Sequence, residues 1–330
     1  MLEDAHLENF IPSVYHKHPC YTIRMLIVGS VVFDLITTPK FKNKAALGGS
    51  ALYGSLAARL FTEVAVIAAV GKDFKKPHRN LFLHKKINIE GVASLAGNTM
   101  RWGAEYSKNL ETRETLFVKL NVFEKFKPVL SKKHTEEDVI FLGNINPKLQ
   151  LDVLKQAGKT RFVALDSMDY WIENRNKELR QVLRQVDIFL LNDVEARMFS
   201  GLKDLGKCAE KILKIMGGKK KTVIIKKGIG GMLMAQGTNV FTLPAVLLKT
   251  PVDPTGAGDT FAGAFLGYLE RTKNHTWAAF CRAAVLGTVV ASFCVEGFGT
   301  SKLQNVTRER IEKRIKEFIK FADLSKNLFT

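Results

Sequence analysis

The run Val252-Asp253-Pro254-Thr255-Gly256-Ala257-Gly258-Asp259-Thr260-Phe261-Ala262-Gly263-Ala264-Phe265 joins a turn of small residues to an apolar segment of helical character. The spacing predicts a helix that starts near Gly258 or Asp259. The first N–H groups of a helix have no partner within it, and the helix dipole stands behind them, so such a start favours an anion. Gly256 and Gly258 let the backbone approach a ligand with no Cβ in the way. Asp259 falls in the first turn, beside the place where negative charge would develop. That position suits a base taking a proton from a hydroxyl as it attacks a phosphorus. A glycine-rich turn with an aspartate cap is the plain structural alternative for a lone GxGD, and the full run is more specific than that.

Outward from this run, short β-branched stretches alternate with helical patterns. Strands are predicted at 25–32, 64–70, 138–142, 161–165, 187–191 and 222–227. Helices are predicted at 50–61, 147–157, 175–184, 193–199 and 207–216. This alternation implies an α/β fold with a mostly parallel sheet covered by helices on both faces. Towards the C-terminus, the apolar stretch 278–295 reads as a helix. Thr307 then caps another whose Ile311, Ile315, Phe318 and Ile319 form one stripe. From Thr99 to Phe123 the period changes to two: Leu116, Val118, Leu120 and Val122 alternate with Phe117, Lys119, Asn121 and Phe123. Together with 36–47, this region (about 97–123) is expected to form a small β appendage. Residues 1–24 show no periodicity and are expected to be an N-terminal extension, unlike a signal or transit peptide, with the domain proper over 25–330.

The 330 residues are 46% hydrophobic and 25% charged, enough to bury a sizeable core and unlike a disordered chain. The longest apolar stretch, near Ala283 to Val295, reads as too short to span a bilayer, so no membrane is expected. Cys20, Cys208, Cys281 and Cys294 lie far apart with no CxxC pair, which argues against a disulfide framework or zinc site and for a reducing, cytoplasmic setting. His16 and His18 lack further ligands and read as surface residues. The chain carries 50 Lys and Arg against 32 Asp and Glu, a net +18. Most of the surplus is scattered lysine, which speaks against nucleic-acid binding as the main task. Gly201-Leu202-Lys203-Asp204-Leu205-Gly206-Lys207-Cys208 nearly matches a phosphate loop. It follows a predicted helix rather than a strand, and Cys208 replaces the hydroxyl that would ligate magnesium. Gly201 reads instead as a helix C-terminus.

These residues together resemble the ribokinase-like (PfkB) family of carbohydrate and nucleoside kinases. Asp253-Pro254-Thr255-Gly256-Ala257-Gly258-Asp259 is similar to that family's second signature. The resemblance implies catalysis by Asp259 with an anion hole from Gly256, Ala257 and Gly258. Leu47-Gly48-Gly49-Ser50-Ala51, followed by Ala57-Ala58-Arg59-Leu60, resembles the first signature, whose glycines lie against the substrate. Asn192-Asp193-Val194-Glu195 resembles the NxxE motif that organises magnesium through water. By itself it reads equally as a capped helix start. Ile224-Ile225-Lys226-Lys227-Gly228 resembles the strand and turn of the nucleotide site, which Lys226, Gly228 and Thr255 would contact. Met25 to Asp34 is similar to the opening strand, ending in an aspartate that holds substrate hydroxyls. The similarity runs from about Met25 to the C-terminus.

The resemblance implies a three-layer ribokinase-like sandwich whose β appendage acts as a lid, with Arg101 and Trp102 over the substrate. ATP and Mg2+ are the implied cofactors, K+ is a candidate activator at Asp253 and the Glu296-to-Thr300 loop, and a homodimer through the lid is a candidate assembly. Tyr53 departs from the pattern, standing where many members carry an asparagine that reaches the sugar. Asp166-Ser167-Met168-Asp169-Tyr170-Trp171 is unusually polar and aromatic for a βα loop, and Asp166 is assigned to the substrate side with Tyr53. The activity expected is transfer of a γ-phosphoryl group to a hydroxyl of a small molecule, a primary CH2OH of a sugar. A nucleoside kinase and a non-catalytic basic scaffold are the alternatives.

Overall fold

The computed structural model describes residues 25–135, 138–157 and 161–323, so the expected extension 1–24, with Cys20, His16 and His18, lies outside the described residues. In chain order the first half comprises β1 (Met25–Val28), β2 (Val32–Thr38), β3 (Phe41–Gly48), α1 (Ser50–Ala58), β4 (Val64–Val70), α2 (Lys76–His84), β5 (Asn88–Ser94), β6 (Met100–Tyr106), β7 (Arg113–Lys119) and β8 (Val139–Leu142). There follow α3 (Pro147–Ala157), β9 (Phe162–Asp166), α4 (Asp169–Asn174), α5 (Asn176–Leu183), β10 (Ile188–Asn192), α6 (Asp193–Ser200), α7 (Leu205–Met216), β11 (Thr222–Lys226), β12 (Met232–Gln236), β13 (Asn239–Leu243), α8 (Ala257–Thr272), α9 (Trp277–Val295) and α10 (Arg308–Phe321).

A 9-stranded sheet runs in the order β13-β12-β11-β10-β9-β8-β1-β4-β5. Neighbouring strands pair in parallel from β11 to β5, while β11–β12 and β12–β13 pair antiparallel as two successive hairpins, so that β12 alone runs against the rest. Alternating residues divide the core. Met25 and Ile27 of β1 pack with α1, α8, α9 and α10, while Leu26 and Val28 pack with α3, α5, α6 and α7 on the other face. Near-continuous apolar strands of this kind are what burial on both faces requires. Helix α9 has 19 residues and a mean hydropathy of 1.9, long and apolar enough to cross a bilayer, yet 72% of that window is buried inside the protein. Its length exceeds the apolar stretch expected from the sequence, because Trp277 to Arg282 extend the same helix.

A second, 4-stranded sheet has the order β3-β2-β6-β7. Two expectations change here. The first strand ends at Val28 rather than continuing to 32, because Gly29 and Ser30 turn the chain where Ser30 N–H donates to Ser50 Oγ (3.1 Å). Asp34 therefore lies in the middle of β2, in the small sheet, and not at the end of the opening strand. The period-two pattern of 116–123 also stops at Lys119. Val122 and Phe123 enter a 3-10 turn that buries them in the core beneath the large sheet, and Val122 N–H donates to Asn98 O (3.2 Å).

The near-match to a phosphate loop resolves as expected. Gly201 ends α6 in the left-handed region at φ 69, and Asp204 caps α7 by accepting from Lys207 N–H.

Candidate active site

Parallel strands place their carboxyl ends on one edge of the sheet, and the loops there form a crevice. Asp166, Asn192 and Lys226 are the last residues of β9, β10 and β11, so adjacent strands deliver all three to that edge. Lys226 Nζ bridges to Asp166 Oδ2 at 2.8 Å, and Asp166 Oδ1 accepts from Ser167 N–H at 2.8 Å. Asp166 thus belongs with the strand-end lysine. Trp171, in the same loop region, is largely buried and donates from Nε1 to Asn144 Oδ1 (3.0 Å).

Asn192 and Glu195 form a reciprocal capping box: Asn192 Oδ1 accepts from Glu195 N–H (2.8 Å), and Glu195 Oε2 accepts from Asn192 N–H (2.7 Å). Glu195 keeps its second oxygen for another partner. Among the described residues no group of three His, Cys, Asp or Glu side chains is arranged to hold a metal ion. That donor set fits magnesium that keeps its waters and is carried by phosphates, not an ion caged by protein.

The Gly256–Asp259 turn opens α8 as expected, one residue earlier, at Ala257. Gly256 has φ +75, and a Cβ there would fall inside the Tyr53 ring. Both facts require glycine. Of the three amides expected to form an anion hole, that of Ala257 is already engaged, donating to Pro254 O at 3.1 Å within the turn. Among the described residues, no protein acceptor takes the N–H of Gly256, Gly258 or Asp259, so these three are the donors available at the helix start. Lys226 Nζ stands 3.0 Å from where a Cβ of Gly258 would lie, so the cation and the helix start face the same space.

On the other side stands Asp34. Gly48 lies so close to its carboxylate that a Cβ would overlap it. Gly49, at φ +96, lets the chain turn tightly past Ser30 into α1. The paired glycines therefore shape the wall around Asp34. Tyr53 of α1 is only 1% exposed, its ring lies against Gly256, and its hydroxyl is buried with no hydrogen-bond partner among the described residues. Asp253 accepts from Thr255 N–H (3.0 Å) and Gly299 N–H (3.0 Å), tying the 296–300 loop to the turn. Thr255 Oγ1 donates to Tyr106 Oη of β6 at 3.0 Å, joining the small sheet to the head of α8.

The two faces of the small sheet divide the lid residues. Asp34 pairs with Trp102 in register, and Phe33 pairs with Arg101. Arg101, expected over the substrate, is turned to the face away from Asp34, where it bridges Asp73 at 3.5 Å and lies over Phe33. Trp102, Ala104 and Tyr106 take the inward positions. Gly228 begins the exposed turn after β11 at φ +53.

The electrostatics bind the halves together. Burial, and then the charge of Asp166, push Asp259 up to about 7, with Lys226 and Arg113 acting the other way. Burial and Asp166 likewise push Glu195 up to about 8. Asp34 is raised well above the usual carboxylate range by burial and then by Asp253 and Asp259. Burial alone would lower Lys226, but Asp166 and Glu195 outweigh it and hold the ammonium protonated. Asp259 is the group that couples to both sets: Asp34 on one side, Asp166 and Lys226 on the other. Tyr106 and Arg113 were not among the residues singled out from sequence. The only signal for them is the period-two pattern around them, which does not say which face points inward.

Comparison with known proteins bears on the family and the fold. The profile of the pfkB family carbohydrate kinases matches residues 28–307. A cytidine kinase of Thermococcus kodakarensis is 30% identical over 256 residues, covering 76% of this chain and 89% of the relative. A ribokinase from Cryptococcus neoformans in complex with ADP superposes with a TM-score of 0.72 at 20% identity, covering 88% of this chain and 99% of the other. A nucleoside kinase of Burkholderia thailandensis in complex with inosine superposes with a TM-score of 0.69 at 17% identity, covering 90% and 99%.

Proposed function

Because the chain belongs to the pfkB family of carbohydrate kinases, phosphotransferases acting on sugar or nucleoside hydroxyls, we propose that it transfers the γ-phosphoryl group of ATP to a hydroxyl with Asp259 as the base. The observation that carries this reading is the place of Asp259 between Asp34 on one side and the Asp166–Lys226 pair on the other.

Asp34 accepts hydrogen bonds from the acceptor's hydroxyls and turns the reacting one, a primary CH2OH, towards Asp259. Asp259 takes the hydroxyl proton as the oxygen attacks the γ-phosphorus. The amides of Gly256 and Gly258 hold the phosphoryl oxygens in transit, and Lys226 leans from Asp166 towards the same charge. A positioned base is worth about 10² to 10⁴ in rate, and each oxyanion-type donor about 10² to 10³. Glu195 and Asn192 would hold the waters of a magnesium ion arriving with ATP, which would supply neutralising charge to the phosphates. A monovalent cation at Asp253 would sit against the 296–300 loop. The small sheet, latched at Tyr106–Thr255, excludes water from the reaction as a lid.

A second reading narrows the acceptor to a nucleoside. Trp102 and Tyr106 present aromatic rings on the same face as Asp34, which suits a flat base above a ribose. The test is ADP release from ATP and magnesium against pentoses, hexoses, polyols and nucleosides. One strong acceptor among the sugars supports the first reading, and one among the nucleosides supports the second. No phosphorylation of any acceptor together with no ATP binding would overturn both.

A further inference from the structure

Arg113 opens β7 directly opposite Tyr106, the residue hydrogen-bonded to Thr255 at the head of the Gly256–Asp259 turn. Opposed residues of an antiparallel pair project from the same face, so Arg113 extends over the inward side of the small sheet. There its guanidinium lies over the Trp102 ring, 5.1 Å from the centroid, and Trp102 is the register partner of Asp34. A guanidinium stacked in this way is held by its flat face, and its N–H donors point outward along its edge. Among the described residues no ion pair or hydrogen bond engages those donors.

Three buried groups on three separate elements feel the charge. Arg113 acts on Tyr106 of β6, Glu195 of α6 and Asp259 of α8, in each case against the upward push of burial. Those three border the space between the NxxE segment and the start of α8. The other cation acting on Glu195 and Asp259, Lys226, is already paired with Asp166 at 2.8 Å. A triphosphate entering among Asp34, Asp166, Glu195, Asp253 and Asp259 needs more positive charge than one paired lysine supplies.

We propose that Arg113 is a catalytic residue of this kinase, an arginine that the lid strand holds over the phosphoryl group during transfer. The inference rests on the kinase reading above. The bond from the acceptor oxygen to the γ-phosphorus forms as the bond to the bridging oxygen breaks. The hydroxyl proton passes to Asp259, ADP leaves with the electron pair, and Arg113 stays protonated throughout. Its planar fork matches two phosphoryl oxygens at once, which a lysine cannot do.

The experiment compares wild type with Arg113→Met and Arg113→Lys in the full chain, measuring kcat, acceptor KM, and affinity for ADP with and without aluminium fluoride, a mimic of the phosphoryl group in flight. Arg113→Met is expected to lower kcat about 10²- to 10³-fold. Acceptor KM and ADP affinity should stay within about threefold, and the extra affinity conferred by aluminium fluoride should be lost. Arg113→Lys should recover part of kcat. A raised acceptor KM with kcat preserved would overturn the proposal and move Arg113 to acceptor binding. Unchanged kinetics in both variants would also overturn it, reducing Arg113 to a surface stack on Trp102. A wild type that neither binds ADP nor phosphorylates any acceptor would instead bring down the kinase reading, and this inference with it.

Discussion

Asp259 stands in the first turn of α8 with its carboxyl pushed up to about 7 by burial and by Asp166. A base must be ionised to act, so kcat/KM is expected to fall as pH drops below about 7, the value for the free enzyme. The same shift has a consequence for stability with a definite sign. The folded-state value is raised above the ordinary 3.8, so folding favours the protonated form; the stabilisation is complete below about 3.8 and is lost as pH rises through about 7. Asp259→Asn removes that loss. Its thermal midpoint relative to wild type should therefore climb between pH 5 and pH 8, read by parallel melts. A difference independent of pH would mean that the buried charge is not felt by the fold. At this scale, Asp259 could be singled out from its own run of residues, while Asp34, Lys226 and the Asn192–Glu195 box could be singled out only through the family resemblance, because alone they read as a strand residue, a strand-end charge and a helix cap. Arg113 was not. It lies in the charged run Glu111-Thr112-Arg113-Glu114, where composition suggests only a solvated edge, and its role comes from pairing with Tyr106.

The elements that carry the site differ in how openly they announce themselves. The buried parallel strands are continuous apolar runs, and apart from β1, which stops at Val28, their limits lie close to those expected. The β12–β13 hairpin and β5 were not foreseen: Met232–Gln236 and Asn239–Leu243 are short and mixed, and Asn88–Ser94 alternates weakly. Helix α2 was also missed, since Lys76–His84 is polar apart from its leucines and Phe82. The small sheet was legible as a two-faced unit, but its inward face was not: of the two residues expected over the substrate, Trp102 lies on the face of Asp34 and Arg101 on the other. The latch from β6 to the head of α8 follows from that face. Tyr106→Phe removes the acceptor of the Thr255 hydroxyl. If the sheet works as a lid, the variant should consume ATP without phosphorylating acceptor, so that ADP formed per acceptor phosphorylated rises above one. A ratio unchanged from wild type would show that this contact does not seal the site.

Across the whole molecule, two sheets meet over one row of strand ends. The 9-stranded sheet sets Asp166, Asn192 and Lys226 in place, α8 brings Asp259 in from the opposite layer, and the small sheet supplies Asp34 and Arg113 from above. Carboxylates gather here in a chain whose net charge is +18, and the cations that act on Asp259 among them are Lys226 and Arg113. This convergence was only partly visible beforehand, because Asp34 belongs to the small sheet and not to the opening strand. The proposed reaction depends on Asp259 taking the proton. The most direct test is single-turnover phosphoryl transfer by Asp259→Asn at pH 8, measured beside its affinity for ADP. The rate should fall by about 10² to 10⁴ with ADP affinity undiminished. A folded variant that transfers phosphoryl within about tenfold of the wild-type rate would contradict that role and place the base elsewhere.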